Sequence, residues 1–331
     1  MYEATMSKSF PITIPKPSSR RSTRCSPETP AWGPRDLWVF GALMVGIVVA
    51  YSNAISGAFV WDDYPYIVNN RFVTDPSQAL HVFVAPSAAG SGDVSSHYFR
   101  PLWILSFAMD HALWGLNARA FHVVNILLHA CVAGLLYTVT RALFESRIIA
   151  GAAAVLYGLH PVHVEAVTYI AGRCDPLQGI FLLMTLGFYH AHRRSGRFVP
   201  TLMAYALALL SKESAVIVPL LLVPYHLRWG WGRQLRLGLT LTLMAMGFWI
   251  WRLAMVQGAD LALVTLLDRV PGFLWAIPNY LRILVWPQDL HTTYGQIRWG
   301  WADPRVVMSL MGVLGIMALA WRFRSRGVGL R

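Results

Sequence analysis

The sequence predicts an all-α protein that crosses a membrane several times, and three observations carry that prediction. Of 331 residues, 56% are hydrophobic and 13% charged, with a mean hydropathy of +0.46; a soluble domain carries roughly a quarter charged residues. The apolar residues come in long runs, the clearest being 37–60, which contains no Asp, Glu, Lys or Arg and as a helix spans a hydrocarbon core of roughly 30 Å. The basic residues, which give a formal net charge of +12, sit where runs end. A basic balance arises from a nucleic-acid surface or from cytoplasmic loops that obey the positive-inside rule. Placement at run ends favours the second, so no nucleic-acid partner is expected. Disordered, collagen-like and ordinary soluble classes are excluded by composition.

Residues 1–36 are polar and rich in Pro, Ser and Thr, with Lys8, Lys16, Arg20, Arg21, Arg24 and Arg35, and read as a disordered basic cytoplasmic tail. Residues 37–321 read as a multi-span membrane domain, and 322–331 as a basic C-terminal tail. Run 37–60 leads outward into a first external loop at about 61–100, whose ionised residues lean acidic. Residues 101–116 are apolar but broken by Asp110 and read as an interfacial helix or the lower part of the next span. Runs 121–144, 148–164 and 176–191 are the following spans, with Arg141, Arg147, Arg193, Arg194 and Arg197 on the side that parity requires. Run 198–227 has basic clusters at both ends and only Lys212 and Glu213 inside it; two short helices meeting near 211–213 satisfy both. Run 237–256 then runs outward. Segments 270–286 and 306–321 are apolar, but the prolines and Arg282 of the first leave its crossing open. Cys25, Cys131 and Cys174 are scattered, with neither a disulfide framework nor zinc spacing.

Ionisable groups beside a membrane core are costly and point to sites. Four groups fall on the external side of this topology. Asp62 and Asp63 follow the first span; a carboxylate pair there supplies a general base with an orienting neighbour, or simply an acidic helix end. His160, His163 and Glu165 form H-P-V-H-V-E, where Pro161 disrupts the helical face that i, i+3 spacing would give. No H-E-x-x-H or third ligand is evident, so a site role without metal is favoured over interfacial histidines. Asp175 precedes Pro176 and suits a helix start, while Arg173 suits either a carboxylate or a phosphate. Lys212 and Glu213 lie between two apolar runs, where an ammonium facing an anionic headgroup explains a cation that a plain turn does not need. Arg100 adds a further cation at the end of the first loop, or snorkels.

In order along the chain these groups form W-D-D at 61–63, N-N at 69–70, F-R-P-L at 99–102, D-H-x-L-W-G-L-N at 110–117 and F-H-x-x-N at 121–125. H-P-V-H-V-E-A-V at 160–167, G-R-C-D-P-L at 172–177, S-K-E-S at 211–214 and Y-L-R-I-L-V-W-P-Q-D-L at 280–290 follow. The set resembles the membrane half of the transmembrane and tetratricopeptide-repeat O-mannosyltransferases and their bacterial relatives, over roughly residues 37–295. That resemblance implies a C-type glycosyltransferase helical bundle with an extracytoplasmic first loop. It implies an inverting transfer of a mannose-like sugar from a polyprenyl-phosphate donor to a protein or glycan hydroxyl. Asp62 and Asp63 align with the acidic pair where this superfamily keeps its catalytic carboxylate. Charge logic adds Lys212, Arg100 and Arg173 as candidates for the lipid phosphate, and His160, His163, Glu165, Asp175 and Glu213 as site-lining residues. No resident cofactor is implied, and assistance by a divalent cation stays open. Family members continue into more spans and a repeat array that this sequence lacks, so a bacterial-type relative, with a tetratricopeptide-repeat protein as a partner, is the expectation. The membrane is then a bacterial inner membrane, or the endoplasmic reticulum in a eukaryote. Two rivals stand beside this reading: a non-catalytic scaffold whose charges only hold helices together, and a secondary transporter, which places its charges at mid-membrane and is built from repeats.

Overall fold

In the computed structural model, residues 33–93, 97–230, 234–256, 263–290 and 299–324 are described. Their regular elements are helical, and no strand occurs among them. The protein is an all-α polytopic membrane protein. Among the described residues twelve α-helices follow one another: α1 Pro34–Tyr51, α2 Arg71–Thr74, α3 Pro101–Trp114, α4 Ala118–Phe144, α5 Arg147–Leu159, α6 Val164–Thr168, α7 Cys174–Ser195, α8 Val199–Ser211, α9 Val218–Trp229, α10 Leu235–Met255, α11 Leu263–Val285 and α12 Pro304–Arg324.

Among the described residues, the segments Pro34–Ser56, Ala118–Phe144 and Leu235–Met255 are long and apolar enough to cross a bilayer by themselves. Arg147–Leu159 and Pro161–Thr168 pass together but are bent by 49° at His160-Pro161. Pro161 forces that break: its ring cannot sit inside a continuous helix, and it pushes His160 to an extended backbone (ψ 130°). The run 198–227 is two short helices joined at extended Lys212, as its flanking charges predict.

The first helix begins earlier than the sequence reading placed it. Gly33 is its N-cap, Pro34 fills the first turn, and Asp36 folds back so that its carboxylate accepts the Gly33 N–H at 2.9 Å. Asp36 is therefore not part of a tail. It is buried, and it accepts the Tyr137 hydroxyl (2.6 Å) and the Arg147 guanidinium (3.0 Å), with Arg141 3.5 Å away. This clasp binds α1 to α4 and α5. The remaining N-terminal residues, 1–32, and most of the predicted C-terminal tail, 325–331, lie outside the described residues.

Helix α1 lies so close to its neighbours that two glycines are required. A Cβ on Gly134 would meet the Phe40 ring at 2.6 Å, and one on Gly158 would meet Ile47 at 2.7 Å. Small residues let helix backbones approach in an apolar solvent, where dispersion between close surfaces holds them together. Leu43, Ile47, Tyr51, Ile126, Ala133, Ala150 and Ala154 fill this contact. Helix α7 packs on α4 through Val132, Val139 and Leu183, and on α8 and α10 through Tyr189, Tyr205 and Leu241. The segment after α1 is not an open polar loop. It winds through short helical turns and builds its own core from Tyr66, Ile67, Phe72, Val73 and Val82 against Trp103, Ile104 and Phe107 of α3. That core fixes the entry to the candidate site.

Candidate active site

The W-D-D turn shows how the sequence places its carboxylates. Trp61 takes φ +44°, a left-handed conformation uncommon for a bulky residue. The reversal sends the two aspartates in opposite directions. Asp63 turns inward and is fully buried. Its carboxylate accepts the Val60 N–H at 2.9 Å and the Ala171 N–H at 2.8 Å, stitching the first loop to the turn before α7. Burial pushes the Asp63 carboxyl up to about 6, against the two amides that favour its anion. Asp62 turns outward, and its own N–H donates to the Tyr169 hydroxyl at 3.0 Å.

Asp62 faces a cavity of about 470 Å³ that is also lined by Arg100, His163, Glu165, Asp175 and Lys212, with Tyr66, Tyr98, Trp103, Tyr157 and Tyr169 around them. Residues 150 positions apart in the chain thus meet on one chamber, because α3, α6, α7 and the α8–α9 break all end there. The cations are not free point charges. The Lys212 ammonium bonds the Asp175 carboxylate. Arg100 binds Glu213 with both arms of its guanidinium, at 2.7 and 2.6 Å, and lies over the Tyr98 ring at 4.2 Å. Adjacent Lys212 and Glu213 therefore do not pair with each other; each reaches across to a different helix end. His163 packs against Tyr157, with tilted rings whose centroids are 4.2 Å apart. Among the described residues no group of three or more His, Cys, Asp or Glu side chains is placed to hold a metal ion.

Four residues singled out by sequence do not line this chamber. Asp63 and Glu213 support it from behind, as above. Arg173 is fully buried beneath it: it pairs with Asp110 at 2.6 Å, donates to Asn125 Oδ1 at 2.6 Å and to the Phe121 carbonyl at 3.1 Å, and packs over the Phe107 ring. Its donors are committed to protein acceptors and do not reach the cavity, so it holds α3, α4 and the α7 entry together and does not face a phosphate. Burial lowers its basicity to about 10, which Asp110 opposes. His160 is turned away too. Its Nε2 lies 3.0 Å from the Leu284 carbonyl, which can only accept, so Nε2 carries the proton and Nδ1 accepts the Val162 N–H.

Beside the chamber runs a second cavity of about 610 Å³, lined by apolar groups including Val60, Trp61, Val164, Tyr280, Ile283 and Leu290. Val162, Glu165 and Tyr169 border both spaces. The aromatic lining, and Tyr169 in particular, escaped the sequence reading: with 13 tyrosines and 14 tryptophans in the chain, and interface belts expected to use many of them, no single one stands out. Asn125 was visible only as a letter in a longer motif, and Asp110 only as such a letter and as a break in an apolar run.

No family model and no solved structure matches the chain. Curated relatives do. Mouse protein O-mannosyl-transferase TMTC2 is 34% identical over 180 residues, 51% of this chain and 21% of that protein. Mouse TMTC1 is 38% identical over 153 residues, 45% of this chain and 16% of that protein, and mouse TMTC3 is 31% identical over 186 residues, 53% and 20% respectively. The matched stretch spans about a fifth of these relatives' length. Over about half of its own length, then, this chain is a sequence relative of the TMTC protein O-mannosyl-transferases.

Proposed function

We propose that the chain transfers a mannose-like sugar from a polyprenyl-phosphate donor to a hydroxyl of a protein or glycan acceptor, on the extracytoplasmic side of its membrane. The observation that carries this reading is the convergence of Asp62, Glu165, His163, Lys212 and Arg100 on one chamber that adjoins an apolar groove. A headgroup with an anionic phosphate fits the first space and an isoprenoid tail fits the second. The relatives' names support the chemistry.

In this mechanism an Asp62 oxygen takes the proton of the acceptor hydroxyl as general base. The hydroxyl oxygen bonds to the anomeric carbon while the bond from that carbon to the phosphate oxygen breaks. The electron pair of the broken bond leaves with the polyprenyl phosphate. One displacement inverts the anomeric centre. Lys212 and Arg100 offset the charge that grows on the phosphate, in a partly dry cavity where such an offset is larger than in water. Asp175 and Glu213 hold the two cations in place until the phosphate arrives. The donor carries the activated bond, and the two carboxylate-held cations suit a single phosphate.

The scaffold reading draws on the Arg173–Asp110 pair and the Asp36 clasp, which do hold helices together, yet it gives no reason for Asp62, Arg100, His163, Glu165, Asp175 and Lys212 to face a common cavity. The test is incubation of the purified chain in nanodiscs with radiolabelled polyprenyl-phosphate mannose and Ser/Thr-containing peptides. Label in peptide supports the reading; no label in peptide, with intact donor recovered, contradicts it.

A further inference from the structure

Asp62 sits one residue after a strained backbone. Trp61 at φ +44° occupies a conformation that is costly for a bulky residue and persists only where neighbours fix it. The neighbours here converge on one side chain. The Tyr169 hydroxyl accepts the Asp62 N–H at 3.0 Å, and the Tyr169 ring meets the Trp61 ring edge-on with centroids 6.2 Å apart. Tyr169 is itself anchored: Asn125 Nδ2 donates to its carbonyl at 3.2 Å, and Asn125 Oδ1 is held by Arg173 at 2.6 Å. The path from Asp62 into the buried interior is thus Tyr169, Asn125, Arg173, Asp110, each link a hydrogen bond or ion pair.

The same ring borders both the polar chamber and the apolar groove. Accepting the Asp62 amide uses an oxygen lone pair and leaves the phenolic proton in place. Burial and the nearby Asp62 charge push the phenol above its usual range, so that proton stays on the oxygen at any working pH.

We propose that Tyr169 is the positioning residue for Asp62: its hydroxyl fixes the Trp61–Asp62 turn so that the Asp62 carboxylate meets the acceptor hydroxyl where chamber and groove join. This rests on the reading of Asp62 as general base. Tyr169 does not itself move the proton. It acts by holding both the amide and the carboxylate of Asp62 through its hydroxyl, and positional errors of about 1 Å at a reacting group cost on the order of a hundredfold in rate.

Tyr169→Phe removes one oxygen and keeps the ring, so it separates the hydrogen bond from the packing. Two measurements test it. In the transfer assay the variant is expected to lose about tenfold in kcat, with the donor KM within about twofold of the wild type, as an interaction realised only on the way to the transition state requires. By hydrogen-exchange mass spectrometry, the peptide carrying the Asp62 amide is expected to exchange at least about tenfold faster, while peptides from α4 and α7 keep their wild-type protection. Unchanged exchange at Asp62, or an unchanged kcat, overturns the proposal. Faster exchange spread through α4 and α7 also overturns it, because the residue would then be a general structural support. If wild type transfers sugar and Asp62→Asn does not, while Tyr169→Phe matches wild type, only this inference falls. If wild type transfers nothing, the catalytic reading falls and takes this one with it.

Discussion

At one end of the bundle, Asp36 accepts from Tyr137, Arg147 and the Gly33 amide, lies near Arg141, and keeps 2% of its side chain exposed. At the other end, Asp62 is exposed, Asp175 keeps 46% of its side chain exposed, Lys212 keeps 24%, and all three face a cavity. The residue types are the same and the outcomes are opposite. A charge taken out of water must be matched by close partners, since desolvation of an ion costs several kcal/mol even after relaxation. The Asp36 end meets that cost fully and closes. The chamber end leaves its groups partly hydrated, single-partnered and pointed at empty volume, which does little for folding and suits ligand exchange. Arg173 and Lys212 repeat the contrast at closer range: the first is fully buried among five protein groups, the second holds one carboxylate at the chamber wall.

Four substitutions, at Arg173, Asp36, Lys212 and Asp63, test that contrast. Arg173→Met strands Asp110 in the interior and is expected to cost about 3–5 kcal/mol, the range for breaking a buried pair; the folded yield in detergent should collapse, and a normal yield would show the pair is not structural. Asp36→Asn leaves Arg141 and Arg147 facing a neutral group. It is expected to lower thermal stability by about 1.5–3 kcal/mol, the range for a lost charged hydrogen bond, while activity per folded molecule stays at wild type. Lys212→Met removes a cation that is already half-satisfied by Asp175. A rise of roughly tenfold in donor KM is expected, the low end for a charge-assisted contact, with no loss of folded protein; equal KM values would move the phosphate away from Lys212. The remaining effect is read against pH and concerns Asp63. Its carboxyl is raised by burial from 3.8 to about 6, so the folded chain binds that proton more tightly than the unfolded one. Stability should then fall as pH rises from about 4 to about 6 and level off above. Thermal melts across that window are expected to show the slope in wild type and to lack it in Asp63→Asn.

Much of this architecture was legible in the sequence because bilayer physics is coarse. Uninterrupted apolar length marks a span, and basic flanks fix the ends of 198–227, so the two-helix solution broken at Lys212 follows from charge alone. The gathering of Asp62, His163, Glu165, Asp175 and Lys212 was readable too, since each borders the same end of a span. What the letters did not carry was direction. Asp62 and Asp63 are chemically identical neighbours, and only the positive φ of Trp61 sends one to the cavity and the other into the core. Arg173 and Asp110 lie 63 positions apart, and nothing local says that one neutralises the other. The start of α1 was missed because Asp36 counts against an apolar run until Arg147 and Tyr137 are known to meet it.

The proposed transfer depends most on Asp62 being the one carboxylate of the pair that works on substrate. The direct measurement is single-turnover transfer from polyprenyl-phosphate mannose to peptide, comparing wild type with Asp62→Asn at equal amounts of folded protein. A fall of about 10²–10⁴ in rate with unchanged thermal stability is the predicted result, the usual worth of a positioned base. A variant that transfers as fast as wild type would contradict it.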